Sequence, residues 1–178
     1  DYILRMDDDD ICLSNRLQNT INLLKKNQNI DIVSGQVKYI NNKGLQIRES
    51  NFPTKDNQIK RLLHIKTCII HPTVCIRRKK LIEIGGYRSF KRSEDLDLWI
   101  RMRDHDAQFI GSKETFINYR LHNQSMSSSL ISYICPFQVY TQNLLEKGMK
   151  YWHLEAFCFS FLRLLIYIFK TKIKINFK

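Results

Sequence analysis

The sequence predicts an α/β protein in which helices flank a mixed β-sheet. Runs rich in β-branched residues alternate with runs whose apolar residues recur every three or four positions, and glycine-containing turns separate them. The 178 residues correspond to about one domain, and 43% hydrophobic residues suffice to bury a core. The predicted element order, βαββαβαββ, is typical of layered α/β folds.

The first elements predict a strand, a helix and a hairpin. Residues 2–6 form an apolar, strand-like run, and Ser14 is expected to cap a helix. The apolar face of that helix is expected to consist of Leu17, Ile21 and Leu24. IDIVSGQVKYI then predicts a strand, and the turn sequence NNKG joins it to a second strand that contains LQI.

The middle of the chain continues the alternation. Residues 56–66 predict a short helix, and TCIIHPTVCI predicts a strand. RRKKLIEI predicts a helix that ends at Gly85 and Gly86. Ser93 is expected to cap the next helix, SEDLDLWIRMRDH, and two short strands near AQFI and TFINY follow. The buried face of that helix is expected to consist of Leu96, Trp99 and Ile100.

Charge and cysteine content restrict the class of protein. The 29 basic and 17 acidic residues give a net charge of +12, which favours an anionic partner: nucleic acid, an anionic membrane surface or a phosphorylated substrate. The five cysteines form no CxxC pair, so we expect reduced core thiols and a cytoplasmic location. The chain opens without an initiator methionine, and we expect a longer parent protein.

Four consecutive aspartates, residues 7–10, follow the first predicted strand. Like charges this close repel one another, so the run needs either full exposure to water or a compensating cation. One interpretation is a solvated acidic turn, and the other is a site for a hard divalent cation such as Mg²⁺ or Mn²⁺.

Four motifs follow one another along the chain: RMDDDDICLSNRL, IDIVSG, HPTVCIRRKKLIEIGGYRSFKRSEDLDLWIRM and YRLHNQSMS. Together and in this order they resemble family 2 glycosyltransferases of the GT-A fold. The resemblance implies the C-terminal part of a GT-A-like sheet, because the family's N-terminal nucleotide-binding half has no counterpart in this sequence. It divides the chain into a partial catalytic domain, residues 1–130, and a C-terminal helical segment, residues 131–178.

The resemblance also implies roles for the aspartates. Asp7 and Asp9 would face the donor and the metal, while Asp10 braces the loop and Asp8 is solvated. A nucleotide-sugar donor releases a diphosphate, and Mn²⁺ or Mg²⁺ would neutralise its charge.

Two residues of the YRLHNQSMS motif extend this donor site. By the resemblance His122 is a metal ligand, with a hydrogen-bonded loop histidine as the alternative. Arg120 would contact the diphosphate, or it forms an ordinary ion pair.

Transfer to a hydroxyl acceptor needs a general base, for which Asp95 is the candidate. It lies in the first turn of a predicted helix, where the backbone amides favour a carboxylate. Glu94 would hold the acceptor or the base, and Asp97 is expected to be solvated. The alternative is that these acidic residues only stabilise the start of the helix.

Three residues are candidates for the acceptor side. His71, before Pro72, would support the acceptor cleft, or it is a hydrogen-bonded core histidine. Gly85 and Gly86 would let the backbone approach a sugar, and they also end a helix.

The C-terminal segment has a different composition. Residues 156–169 are mostly apolar, Arg163 interrupts them, and a lysine-rich end follows. Fourteen apolar residues are too few for a membrane span. They predict an amphipathic helix on an anionic membrane surface, with a helix that closes over the core as the alternative.

The expected function is metal-dependent, inverting transfer of a sugar from a nucleotide-diphosphate donor to a saccharide or lipid-linked acceptor. This chemistry would serve the synthesis of surface polysaccharide or glycolipid at the inner face of the membrane. The isolated chain is expected to be unstable or inactive. The alternatives are a noncatalytic membrane-surface subunit and a basic nucleic-acid-binding protein. The acidic run disfavours the latter, so no nucleic-acid partner is expected.

Overall fold

A computed structural model describes residues 1–90, 92–122, 130–148 and 151–176 of the chain, with side chains on the last helix through residue 169. The strands are β1 (Tyr2–Leu4), β2 (Ile11–Cys12), β3 (Ile32–Ile40), β4 (Gln46–Glu49), β5 (Cys75–Arg77) and β6 (Phe109–Arg120). The helices are α1 (Arg16–Lys26), α2 (Asp56–Leu62), α3 (Arg78–Glu83), α4 (Glu94–Asp104), α5 (Ile131–Lys147) and α6 (Tyr151–Asn176).

Within the described residues, six strands form one mixed sheet; five follow the order β1-β5-β3-β6-β2, and β4 pairs with β3 beside this path. The long strands β3 and β6 pair in parallel at its centre. On the side of β3 opposite to β6, the start of β3 pairs antiparallel with β5, and the end of β3 pairs antiparallel with β4. The predicted α/β class, the mixed sheet and the β3–β4 hairpin are therefore confirmed.

The chain divides into two compact units. The first comprises Asp1–Gly86 and Arg101–Gln124, and the second comprises Tyr87–Ile100 and Ser125–Lys178. The first unit contains the whole sheet with α1, α2 and α3. The second contains the start of α4 together with α5 and α6.

The core of the first unit lies on the central strands. Its buried side chains are Val33, Val37, Tyr39, Cys75, Phe116 and Ile117. Gly35 allows this packing, because a Cβ at this position would lie 2.2 Å from the Phe116 ring. The absence of a side chain on β3 thus creates the space that an aromatic ring of β6 fills.

Asp31 connects three strands at the start of β3. Its Oδ1 accepts a hydrogen bond from Arg77 Nε at 3.0 Å, and its Oδ2 accepts one from the Gln108 backbone amide at 3.0 Å. Arg77 also donates to the carbonyls of Gln28 and Ile30. The carboxylate and guanidinium therefore hold the chain ends of β3, β5 and β6 together.

Aromatic side chains join α5 and α6 in the second unit. Tyr133 stacks on Tyr167 with ring centroids 4.6 Å apart, and Phe137 lies 5.3 Å from Phe157 and 5.8 Å from Phe161. Within the described residues, α6 contains one segment, Tyr151–Phe169, with the length and composition of a membrane-crossing helix. This segment has 19 residues rather than the 14 expected, so the expectation that it is too short for a membrane span does not hold by length and composition.

Asp97 is fully buried in the second unit, so the expectation that it is solvated was wrong. Its Oδ1 accepts a hydrogen bond from Asn143 Nδ2 at 3.3 Å and lies 3.6 Å from an Arg88 guanidinium nitrogen. Arg88 also pairs with Glu146 at 2.7 Å. A partner in α5, 46 residues later, allows the burial of this charge.

Three predicted strands differ from the observed elements. Most of TCIIHPTVCI is not a strand: His71–Thr73 forms a single 3₁₀ turn, and only Cys75–Arg77 pairs. Pro72 explains this, because it has no amide proton to donate to a sheet. The strands predicted near AQFI and TFINY are one continuous strand, β6, because β3 pairs along its whole length despite two register shifts.

The start of α1 also differs from the prediction. Asn15, not Ser14, is the N-cap, and no side-chain hydrogen bond caps the helix. Leu17 is 59% exposed, whereas Arg16 and Thr20 are buried. The inward face of α1 is thus shifted by one residue, because it accommodates a buried arginine that helical spacing alone assigns to the surface.

Candidate donor and metal site

The acidic run occupies the turn between β1 and β2. Carboxylate oxygens of Asp7, Asp9 and Asp10 all lie within 4.8 Å of one another. Asp8 is exposed, as expected, and does not belong to this group. The turn thus directs three of its four carboxylates to one point.

Asp10 is the buried member of the group, with 9% of its surface exposed. Its Oδ1 accepts a hydrogen bond from the Arg120 backbone amide at 2.9 Å, as the predicted bracing role requires. Its Oδ2 is buried and has no hydrogen-bond partner among the described residues. Burial raises the pKa of Asp10 to about 6. An uncompensated buried oxygen beside two further carboxylates fits a hard divalent cation.

Asp9 is paired with His122. The distance between His122 Nε2 and Asp9 Oδ2 is 2.7 Å, and both side chains are about half exposed. This hydrogen bond lowers the pKa of Asp9. Two residues that the resemblance places at the metal are therefore in contact, although 113 positions separate them.

Two arginines, Arg5 and Arg16, stabilise the acidic turn and the residue that precedes it. Arg5 forms an ion pair with Asp7. Arg16 is 1% exposed and donates a hydrogen bond from Nη2 to the Arg5 carbonyl at 2.6 Å. Sequence reasoning missed both residues. The sequence carried a signal for Arg16 alone. This residue lies in the first turn of α1, where the helix dipole disfavours a cation, so its presence there indicates a special role.

The Arg120 side chain contacts three backbone carbonyls. Nε donates to the Asp9 carbonyl at 3.0 Å, and Nη1 donates to the carbonyls of Asn41 and Asn42 at 3.2 and 3.4 Å. Arg120 therefore ties the β3–β4 turn to the acidic turn. Its positive charge also lies beside Asp9 and Asp10 and lowers the pKa of both carboxyls, although other groups contribute more.

The predicted base belongs to the second unit. Asp95 and Glu94 lie in the first turn of α4 and are half-buried. The helix begins directly after Ser93, as predicted.

The predicted acceptor residues lie in the first unit. His71 is half-buried in the 3₁₀ turn, and burial lowers its pKa to about 4. Gly85 and Gly86 have φ angles of +80° and +67° and end α3 as predicted. Arg101 donates hydrogen bonds to the carbonyls of Ile84 and Gly86 at 2.9 and 2.7 Å. A Cβ at either glycine would meet nothing within 4 Å, so backbone conformation, not space, requires glycine here.

Fold and site together define an α/β protein with a mixed sheet and a carboxylate cluster suited to a divalent cation. The chain belongs to the glycosyltransferase-like family 2, whose family model matches residues 1–156. The resemblance seen in the four sequence motifs is thereby confirmed.

Two relatives illustrate the family. The O-antigen biosynthesis glycosyltransferase WbnJ of Escherichia coli is 32% identical over 133 residues, which cover 74% of this chain and 52% of WbnJ. A second E. coli protein, UDP-Gal:alpha-D-GlcNAc-diphosphoundecaprenol beta-1,3-galactosyltransferase, is 28% identical over 126 residues, or 70% of this chain and 46% of that protein. The chain therefore spans about half the length of these relatives.

The fold has a counterpart among solved structures. The crystal structure of S. aureus TarS 1-349 matches with a TM-score of 0.56 and 15% sequence identity, covering 92% of this chain and 46% of that one. The two chains therefore share a fold over the matched residues.

Proposed function

We propose that this chain is the metal-binding and acceptor-binding part of an inverting glycosyltransferase. Its donor would be a nucleotide-diphosphate sugar, and its acceptor would be a saccharide or lipid-linked hydroxyl in the synthesis of surface polysaccharide or glycolipid. The observation that carries the proposal is the group of Asp7, Asp9 and Asp10, with a buried Asp10 oxygen that has no partner among the described residues. The names of the two relatives, one in O-antigen biosynthesis and one acting on a lipid-linked sugar, support the substrate classes.

The acidic turn would hold Mn²⁺ or Mg²⁺ through Asp7, Asp9 and Asp10. When bound, the cation would supply charge neutralisation for the departing diphosphate. His122 would orient the Asp9 carboxylate, since its ring nitrogen lies 2.7 Å from Asp9 Oδ2, or would join the ligands. Arg120 would fix the turn through its backbone contacts and add positive charge beside the diphosphate.

Asp95 would be the general base. Its carboxylate would accept the proton of the acceptor hydroxyl while that oxygen bonds to the anomeric carbon, and the bond to the diphosphate would break on the opposite face. A single displacement of this kind inverts the configuration. Glu94 would hold the acceptor or the base, and His71, Gly85 and Gly86 would shape the acceptor side.

The C-terminal segment would contact the membrane. We propose that residues 1–130 form the transferring part and that residues 131–178 place it on the inner face of the membrane. Exposed apolar residues on α6 include Leu162 at 53%, Ile166 at 45% and Phe169 at 66%, which share one helix face. Lysines 170, 172, 174 and 178 follow directly, and this combination is typical of helices on anionic lipid.

Calorimetric titration of Mn²⁺, and then of UDP with Mn²⁺, tests the acidic turn. Asp9→Ala is expected to weaken Mn²⁺ binding at least about tenfold, because a typical metal site depends on each carboxylate and its partners. Asp8→Ala is the matched control, since it removes the same charge from the same turn but lies outside the cluster.

The two variants separate a site from diffuse charge. Equal weakening by both would mean that the aspartates attract cations only through their summed charge. If the unmodified chain does not bind Mn²⁺, the assignment of Asp7, Asp9 and Asp10 to a metal site is wrong, and the proposed function loses the observation on which it rests.

A further inference from the structure

A recess lies in the first unit, away from the acidic turn. It has a volume of about 400 Å³ and is lined by residues that include Asn51, Gln58 and Lys113. This volume is within the range of about 300–1,000 Å³ typical of small-molecule sites. Lys113 precedes Arg120 on β6 by seven residues, which is about 23 Å of extended strand, so the recess is separate from the carboxylate cluster.

Gln36 fixes the floor of the recess. Its Nε2 donates to the carbonyls of Phe52 and Ser112 at 3.1 and 3.0 Å. Its Oε1 accepts hydrogen bonds from Ser50 Oγ at 2.8 Å and from the Phe52 amide at 2.9 Å. All four hydrogen-bonding positions of this side chain are thus used, and it holds residues 50–52 against β3 and β6.

Gly111 allows the adjoining wall of the recess, formed by Pro53 and Thr54, to pack directly on β6. Its amide donates to the Thr54 carbonyl at 2.9 Å. A Cβ at Gly111 would lie 2.5 Å from the Pro53 carbonyl oxygen and 2.8 Å from Thr54 Cα, so only glycine lets this segment lie directly on β6. The recess is therefore formed before a ligand arrives, which reduces the entropy cost of binding.

The rim, by contrast, contains polar side chains whose donors and acceptors are not used within the described part of the chain. Asn51, Gln58 and Lys113 are exposed, and no side-chain hydrogen bond or ion pair within the described part of the chain involves them. The two amides each offer donors and an acceptor, and the ammonium offers donors only. Thr54 adds a hydroxyl-bearing residue, whereas the Ser50 hydroxyl already donates to Gln36 Oε1 and accepts from the Val37 amide. Phe52 and Pro53 are the apolar lining residues.

This set of groups selects a class of ligand. Two amides and the Thr54 hydroxyl beside a small apolar surface match a molecule with many hydroxyls on an apolar ring framework. The lining contains one cationic residue and no acidic one, so a carboxylate on that molecule would be attracted.

We propose that this recess binds a saccharide, with preference for a sugar that carries a carboxylate. The site is noncatalytic and would hold part of a saccharide chain while another part reaches the transfer site. Its assignment to the acceptor or product chain rests on the proposed function, whereas saccharide binding itself does not.

Saturation-transfer NMR on the full chain tests the proposal, with glucuronic acid and galactose as probes. Each sugar is added at about 10 mM, about ten times an assumed Kd of about 1 mM for a weak site. Transfer to both sugars is expected, stronger for glucuronic acid. Gln58→Ala should weaken both at least about fivefold, and Lys113→Met should weaken glucuronic acid selectively. Gln18→Ala and Lys25→Met remove an exposed amide and an exposed lysine from α1 and should change neither.

Each other outcome contradicts the proposal. No transfer to either sugar means that the recess is not a saccharide site, and equal losses in the α1 variants mean nonspecific contact. Equal binding of the two sugars overturns the carboxylate preference. Sugar binding is measured without added Mn²⁺ and Mn²⁺ binding is measured without sugar, so failure of the metal site and failure of the recess are distinguishable.

Discussion

Asp10 shows how one residue of the acidic run differs from its neighbours. The two preceding residues, Asp8 and Asp9, are exposed, yet the Asp10 side chain is buried and accepts a hydrogen bond from the end of β6. Burial makes the charged form costly, which raises the pKa of the carboxyl to about 6. The run is therefore neither a uniformly solvated turn nor four equivalent ligands.

His71 makes stability depend on pH. Burial lowers its pKa to about 4 in the folded chain, whereas an unfolded histidine titrates near its ordinary value of 6.5. Between these values the unfolded chain binds a proton that the folded chain resists, so this contribution to stability is lost as pH falls from about 6.5 to 4.

Replacement of this histidine should remove that part of the pH dependence. In urea unfolding at pH 7.5 and pH 5, His71→Asn is expected to show a smaller difference in unfolding free energy than the unmodified chain. His105→Asn, at an exposed position, is the control and should retain the full difference. An unchanged difference in His71→Asn would show that this imidazole does not resist protonation.

Asp31→Ala is expected to destabilise the first unit by about 2–3 kcal/mol. The change leaves the Arg77 guanidinium and the Gln108 amide without the acceptor that now lies 3.0 Å from each. Glu83→Ala, which breaks an exposed pair with Lys80, should cost about 0.5 kcal/mol or less. Urea denaturation measures both, and equal small losses would mean that Asp31 does not connect the strands.

At the scale of elements, strand length is decided by pairing. β6 runs through twelve residues that include the sequence GSKET, because β3 lies beside it from Ile32 to Ile40. β5 has only three residues, because a proline and a 3₁₀ turn precede it. Both differences from prediction come from partners that are distant in sequence.

Two glycines should respond differently to the same substitution. Gly85→Ala places a side chain at φ +80° in open space, so it should cost about 1 kcal/mol, and Gly85→Asn should cost less. Gly35→Ala forces a Cβ into the Phe116 ring and should cost several times more. Urea unfolding distinguishes these mechanisms, and similar losses at the two positions would contradict the close packing at Gly35.

At the scale of the whole molecule, charge and apolar surface are distributed differently between the two units. The acidic group and the sheet belong to the first unit, while the exposed apolar face of α6 belongs to the second. The net charge of +12 applies to the chain as a whole. Attachment to lipid would therefore have an electrostatic and an apolar component.

Vesicle flotation at two salt concentrations separates these components. Binding to phosphatidylcholine vesicles that contain phosphatidylglycerol should fall strongly between about 0.1 M and 1 M salt, where the Debye length shrinks from about 10 Å to 3 Å. Leu162→Asp should weaken binding at both concentrations, because it places a charge on the apolar face. Leu45→Asp changes a similarly exposed leucine on the β3–β4 turn, 63% against 53% for Leu162, and should have little effect. Equal binding to vesicles without phosphatidylglycerol would contradict the role of charge.

The sequence alone determined the features that depend on neighbours in the chain. The β3–β4 hairpin, the end of α3 at Gly85 and the burial of Trp99 follow from turn chemistry and helical spacing. The four family motifs likewise identified the acidic turn, because their residues and order are written in the sequence.

Tertiary structure alone decided which charges are buried and what each one contacts. The contacts of Asp97 with Asn143, of His122 with Asp9 and of Arg16 with the Arg5 carbonyl join residues that are 46, 113 and 11 positions apart. The recess lined by Asn51, Gln58 and Lys113 likewise depends on Gln36 and Gly111, which hold residues 50–54 against β3 and β6. The free energy of a charged or polar group depends on the partners that folding brings to it, and local sequence pattern carries no record of those partners.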